Sequence, residues 1–520
     1  MPAPTKSDHA HARLLLFSVL IVATCGLIYE LITATMASYL LGDSVTQFSL
    51  VIGVYLSAMG LGSWLSKYVT RRLHDRFIDV QLVIAVVGGC SAAAMFFGYG
   101  HLSSVRPLLF SILVVVGTMV GLEIPLLMRI MKDGQQLKDL VARVLAFDYI
   151  GSLLASLLFP LLLLPYLGLV RASFLFGTLN AGVALACARV FQGQLARPRL
   201  LLARALLVFV ALASLLILGD RLERFAENDL YEDPVLISQK SAYQRLTITR
   251  FGEDMRLYIN GNLQFSSVDE HRYHESLIHP AVADFGAPRR VLVLGGGDGL
   301  AARELLKHAS IERVDLVDLD PAMTTLFREH TLLTPLSGGS LSDPRLTVHN
   351  ADAMRWVEEH RARGGDPYDV IVIDLPDPNN LSLGKLYSRT FYRLVAGALA
   401  PGGTAVIQAT SPYLAPRSYW CVVNTLEDAG LNPRPYHAHV PSFGDWGFVL
   451  ASVDRRPPPR RVPEGVALRF LTDEVLASLF VFPADQERLD VEVNLLNNQI
   501  LVHYYEEDFD AISPLRRRNG

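Results

Sequence analysis

Seven apolar runs, each near the ~20 residues a helix needs to cross a bilayer, fill the first 220 positions of the chain. They lie near 14–40, 47–66, 80–99, 105–128, 144–165, 170–188 and 201–219. In hydrocarbon each backbone amide must be satisfied within its own segment, so runs of this length can fold only as helices. The first run is too long for a signal peptide, lacks a small-residue cleavage site and is followed by six more. The reading is an α-helical multi-pass membrane domain over 1–220, with the lipid bilayer as its partner.

Basic residues gather in alternate loops: Lys67, Arg71, Arg72 and Arg76; Arg129, Lys132, Lys138 and Arg143; Arg189, Arg197, Arg199 and Arg204. The positive-inside rule puts these loops and the amino terminus in the cytoplasm. Seven crossings would then leave everything past Asp220 outside. That conflicts with a catalytic part expected in the cytoplasm of a cell whose inner membrane holds the helices. Three alternatives stay open: one run fewer crosses, one is re-entrant, or the catalytic part faces outward. Glu30, Glu123 and Asp148 fall inside apolar runs, where charge is costly. They imply either a cation site or helix-to-helix hydrogen bonds. Gly53, Ser57, Gly60 and Ser63 suit close helix packing.

Past Asp220 the composition turns polar. Short alternating strands over 246–249, 256–259 and 263–265 predict an antiparallel β platform within 231–285, closed by a helix from Asp269 to His279. A buried-strand pattern then runs into glycines, Arg290-Val-Leu-Val-Leu-Gly-Gly-Gly-Asp-Gly299, and a helical segment follows. Strand, glycine turn and helix open an α/β doubly wound, Rossmann-like domain over 286–455. Further strands end at Asp318, Asn350, Asp374 and Gln408. The linker from Arg455 to Arg461 precedes a tail, 462–520, with one short helix near 473–480 and no usable motif.

Ligands of such sheets bind at the carboxyl ends of the strands. Asp298, Asp318, Asp352 and Asp374 each close a strand or sit in the turn after it, and Asp377 follows three residues later. One such aspartate is commonplace as a helix cap. Several on one rim make a field that favours cations. Gly295 and Gly297 let the backbone approach a nucleoside, and Asp318 stands at the distance of a ribose-binding acid. A net charge of -4 gives no support to a nucleic-acid partner. The four scattered cysteines form no metal or disulfide pattern, and no metal or prosthetic group is expected.

Residues 231–455 resemble the spermidine synthases, or polyamine aminopropyltransferases. The whole chain resembles the bacterial membrane-embedded members with a multi-helix amino-terminal domain. The resemblance rests on Tyr243-Gln244, Leu263-Gln264, Tyr273-His274-Glu275, the glycine turn at 295–299, Asp318-Leu-Asp320, Asp352 and Asp374-Leu-Pro-Asp-Pro378. It implies a co-substrate, decarboxylated S-adenosylmethionine, and an acceptor, putrescine or a related diamine, in a homo-oligomer. By the same resemblance Asp298 and Gln264 hold the aminopropyl end, Asp318 the ribose and Asp352 the adenine. Asp374, helped by Tyr273, orients and deprotonates the attacking amine. Asp377, Gln244, His274 and Glu275 line the site toward the acceptor, with Gln244 also counted among the donor-binding residues.

The chemistry fits these types. A donor without its carboxylate ends in an ammonium and wants an aspartate, and a protonated amine must lose a proton before it attacks. Displacement beside a sulfonium needs alignment more than covalent help. Leu375 and Pro376 stand where soluble members carry serines, and Phe443 where they place a tyrosine; Trp446 and Tyr387 are the candidates to replace its hydroxyl. Two other readings are an S-adenosylmethionine-dependent methyltransferase, and a membrane polyamine sensor or carrier with a degenerate synthase domain.

Overall fold

The computed structural model describes residues 6–41, 44–102, 104–131, 137–228, 231 and 233–516. The chain forms two compact units, Met1–Glu232 and Asp233–Gly520. The first is helical: α1 (Lys6–Leu41), α2 (Ser44–Leu65), α3 (Leu73–Gly89), α4 (Ser91–His101), α5 (Arg106–Met131), α6 (Leu137–Leu158), α7 (Gly168–Val190) and α8 (Pro198–Asn228). Among the described residues, 6 stretches are long and apolar enough to cross a membrane by length and composition. One of them, Lys138–Val190, spans 53 residues and contains two of the expected runs. It breaks where Pro160 and Pro165 accompany wide π-helical turns over Phe159–Leu167 and Gly168 adopts φ +71°. α6 and α7 both pack on α1.

The basic loops meet at one end of this unit. Arg129 donates to the Val69 and Ser66 carbonyls at 2.9 and 2.8 Å. The Ala196 amide donates to Asp75 at 3.1 Å, and Arg204 pairs with Asp79 at 3.1 Å. Lys132 lies outside the described residues. The close helix contact differs from the expected one. A Cβ on Gly62 or Gly121 would stand 2.0 Å from the Thr118 or Met59 carbonyl oxygen, so α2 and α5 touch backbone to backbone there. Gly53 and Gly60 face open space, and Ser57 and Ser63 are exposed. Gln81 of α3 donates to Glu123 of α5, a helix-to-helix bond, one of the two uses considered for this carboxylate. Glu30, Glu123 and Asp148 also line one cavity of about 180 Å³.

The second unit opens with β1 (Val235–Lys240), β2 (Arg245–Phe251), β3 (Asp254–Ile259) and β4 (Asn262–Ser266), an antiparallel sheet in sequence order. α9 (Glu270–Phe285) leads to β5 (Arg290–Gly295), α10 (Leu300–Leu306), β6 (Arg313–Asp318), α11 (Pro321–Glu329), β7 (Leu346–Asn350) and α12 (Ala353–Ala362). Then follow β8 (Tyr368–Asp374), α13 (Leu381–Gly384), α14 (Arg389–Ala396), β9 (Leu399–Gln408), α15 (Pro416–Asp428), β10 (Asn432–Val440) and β11 (Gly444–Ser452). The tail carries α16 (Asp473–Leu479) and α17 (Ile500–Arg516).

The large sheet has the order β10-β11-β9-β8-β5-β6-β7. β9, β8, β5, β6 and β7 are parallel, and the β10–β11 hairpin, absent from the sequence reading, joins β9 antiparallel. Val291 and Val293 pack into one core and Leu292 and Leu294 into the other, all at 0% exposure. A strand covered on both faces reads as an unbroken apolar run. Parallel pairing brings the carboxyl ends of β5, β6, β7 and β8 to one edge.

Candidate active site

The edge is held open by two glycines. Gly295 pairs across the sheet with Asp374, and a Cβ on it would lie 2.0 Å from the Asp374 carbonyl oxygen. A Cβ on Gly297 would lie 2.5 Å from the Asp318 carboxylate, whose place is fixed by the Gly297 amide at 3.0 Å and the Asp320 amide at 2.8 Å. Asp298 accepts from the Leu300 amide at 2.9 Å at the start of α10. All these aspartates are only partly buried, so a ligand can reach them.

At the end of β8, Asp374 accepts a hydrogen bond from the Tyr273 hydroxyl at 2.7 Å. Three residues on, Asp377 accepts from Thr410 at 3.2 Å, from Gln408 at 3.5 Å and from Tyr505 at 3.0 Å. Burial pushes the carboxyls of Asp298, Asp318 and Asp377 up to about 6, against an ordinary value near 3.9. Asp374 is raised too, by burial, with the His274 charge and the Tyr273 hydroxyl opposing it. A carboxylate raised in this way is a better proton acceptor than one in water.

His274 is buried and bonds through Nδ1 to the Glu270 carboxylate at 2.8 Å. Burial alone would lower its imidazole; Glu270 outweighs it and raises it to about 9. Burial opposes the Glu270 charge, but His274 and Arg303 hold that carboxyl down to about 2. Arg303 grips the same carboxylate at 3.0 and 2.9 Å. His274 therefore carries a charge that faces Asp298 and Asp374, and it acts on the rim through its field. Glu270→Gln should cost about 3 kcal/mol, since it leaves the buried His274 charge without its carboxylate partner, while Arg303 keeps Glu304 at 3.0 Å. Chemical denaturation of wild type and variant measures this, and the loss falls entirely within the pH range where both charges exist.

The structure corrects the assignment of Glu275. Its carboxylate is fully buried and accepts the Arg469, Phe470 and Leu471 amides at 2.7, 2.9 and 3.0 Å. It anchors the tail and cannot line an acceptor channel, because successive helical residues point about 100° apart and Tyr273 takes the rim side. Gln264 turns its amide to the Asn262 and Leu263 carbonyls at 3.2 and 3.3 Å rather than to Asp298. The Gln244 backbone closes a turn with Ser241, whose hydroxyl donates to Asp320 at 2.7 Å. Asp352 caps α12 through the Arg355 amide at 3.0 Å, and Lys385 pairs with its other oxygen at 2.6 Å. That pair holds the Asp352 carboxyl below its ordinary value against the effect of burial.

Four residues joined to the site were missed or misjudged. Gln408 ends β9 and Thr410 stands two residues beyond it on the same edge, a position the strand pattern already marked. The Tyr387 hydroxyl donates to the Leu375 and Pro376 carbonyls at 3.2 and 3.1 Å and accepts from Gln408 at 2.7 Å. It holds the Asp374–Asp377 loop and is not spare to replace the hydroxyl absent at Phe443. Phe443 itself meets Tyr273 edge-on at 6.1 Å. Tyr505, from the tail, carried no signal at all.

Residues 270–459 match the family model of the spermine/spermidine synthase domain. Polyamine aminopropyltransferase 1 of Ralstonia nicotianae is 50% identical over 98% of this chain and 97% of its own length. The polyamine aminopropyltransferase of Leptospira interrogans is 47% identical over 96% of this chain and 99% of its own. A solved spermidine synthase in complex with the transition-state analogue AdoDATO is similar to 48% of this chain and 85% of its own, at 25% identity and a TM-score of 0.44. With half its residues shared over nearly the full length of such relatives, the chain belongs to the polyamine aminopropyltransferase family.

Proposed function

We propose that this chain transfers the aminopropyl group of decarboxylated S-adenosylmethionine to putrescine, giving spermidine and 5'-methylthioadenosine. The observation that carries the reading is Asp374, poised at the rim with the Tyr273 hydroxyl at 2.7 Å. The acceptor nitrogen attacks the carbon next to the sulfonium. A C–N bond forms, the C–S bond breaks with its electrons going to sulfur, and the surplus amine proton passes to Asp374. Tyr273 orients the receiving oxygens. Asp298 faces the donor's ammonium, Asp318 its ribose, and Asp377 the acceptor. A donor that kept its carboxylate would meet Asp298 with like charge, which disfavours the methyltransferase reading. The test is turnover by purified full-length protein with the decarboxylated donor and a diamine panel, read as methylthioadenosine. Release with putrescine is expected; donor binding with no release from any amine would overturn the proposal.

The helical unit, in this reading, sits in the inner membrane with the catalytic unit in the cytoplasm. The clustering of the basic loops at one end supports a single cytoplasmic face. A carboxyl-terminal fusion to alkaline phosphatase, active only outside, should be silent, and a fluorescent-protein fusion should glow. The reverse pattern would put the catalytic unit outside.

A further inference from the structure

The tail beyond the matched domain is firmly seated on the catalytic unit. Arg417 of α15 pairs with Asp508 at 2.7 Å and Glu507 at 2.6 Å, and the Ser418 amide donates to Asp508 at 3.2 Å. Asn494 donates to the Gly384 carbonyl at 2.9 Å and accepts from the Arg389 amide at 2.9 Å. Leu501 is fully buried in the same core as Tyr387 and Tyr392. These anchors fix the first turns of α17, and one side chain from them enters the rim. It is Tyr505, half-buried, its ring tilted against that of Phe509 at 4.6 Å, with its hydroxyl 3.0 Å from Asp377.

The two acids of the loop are thus each met by a tyrosine: Asp374 by Tyr273 from α9, and Asp377 by Tyr505 from α17. A diamine offers two amine ends, one to react and one to be held. We propose that Tyr505 is a specificity-determining residue of the acceptor site: its hydroxyl holds the Asp377 carboxylate and its ring bounds the space beyond it, so the tail helix sets which amine fits. This rests on the aminopropyl-transfer reading above and deepens it. The matched domain ends at residue 459, so the tail supplies to the site something that domain does not contain.

The groups facing Asp377 are Gln408 at the end of β9 and Thr410 just beyond it, the Tyr387 and Tyr273 hydroxyls, and Tyr505. Burial raises the Asp377 carboxyl, and Tyr505 is the foremost of the donors that oppose this. Loss of that hydroxyl leaves the carboxylate less available at neutral pH and less fixed in place.

The experiment compares wild type, Tyr505→Phe and Tyr505→Ala as full-length proteins, varying putrescine, the longer cadaverine and spermidine against saturating donor. Tyr505→Phe should raise the putrescine KM about tenfold, the usual scale of a hydrogen bond to a charged group, while the donor KM stays within about twofold. The acid limb of kcat/KM for putrescine should move to higher pH. Tyr505→Ala should raise the preference for the longer amines over putrescine at least about fivefold, on the scale of a removed pocket wall. A merely structural tail predicts something else: equal losses for donor and acceptor, a lowered melting temperature and no change in acceptor ranking. That result, or unchanged kinetics in both variants, overturns the inference. An inactive wild type that binds donor would instead sink the transfer reading itself.

Discussion

Asp374→Asn should lower the turnover rate by about 10²- to 10⁴-fold, the range general-base groups supply, with donor affinity changed less than about threefold. Asparagine keeps the shape and can still accept from the Tyr273 hydroxyl, so the 2.7 Å contact survives. It cannot take a proton. The acceptor amine would then stay protonated at the moment of attack, with no lone pair to offer. Single-turnover release of methylthioadenosine, with calorimetric titration of the donor, separates the two effects. A loss of less than tenfold would mean that the proton leaves by another route. Because burial raises the Asp374 carboxyl, the acid limb of the wild-type rate should lie above the ordinary carboxylate range.

Asp298→Asn should do two opposite things: weaken donor binding by at least about tenfold and make the folded protein more stable at neutral pH. Burial raises this carboxyl to about 6, which means the fold disfavours its charge. In the unfolded chain the group ionises near 4, so above pH 6 the penalty is present in full. As pH falls from about 6 to about 4 the folded state takes up its proton first, and stability rises. The gain from the amide should be about 1–2 kcal/mol at pH 7.5, allowing for the water that reaches this partly open position, and should fade toward pH 4. The Leu300 amide at 2.9 Å keeps an acceptor in either form. Thermal melts across that range check it; a variant less stable than wild type at pH 7.5 would refute it. The gain and loss together express one fact, that the rim is built for a bound cation rather than for its own stability.

What could be read in advance was whatever is local. The β5 turn announces itself because a strand buried on both faces and a turn needing glycine leave marks within ten consecutive residues. The aspartates were visible for the same reason: each sits next to its own strand end. What stayed hidden depends on distant partners. β10 contains Pro433 and Pro435, which argue against a strand until the sheet order shows it to be an edge, where prolines are tolerated. Glu275 looked like part of a motif, and only the amides of residues 469–471 reveal its use. The close helix pair at Gly62 and Gly121 was missed because the regular series of small residues at 53, 57, 60 and 63 drew the eye, while Gly62, outside that series, is the one that meets backbone. In Asp377, two donors come from the neighbouring strand end and one from a helix 128 residues downstream.

That last separation has a consequence for how the protein is born on the ribosome. The helices of the first unit emerge first, and the donor's glycine turn and acids are complete by Asp377. The acceptor end waits for Tyr505, 128 residues later. During that interval β9, β10 and β11 are added and complete the sheet beside β8, while the place for the amine still lacks Tyr505. With Tyr505 in the role proposed above, a chain cut short before α17 would keep the whole sheet and the donor's acids but lack the tail's share of the acceptor end.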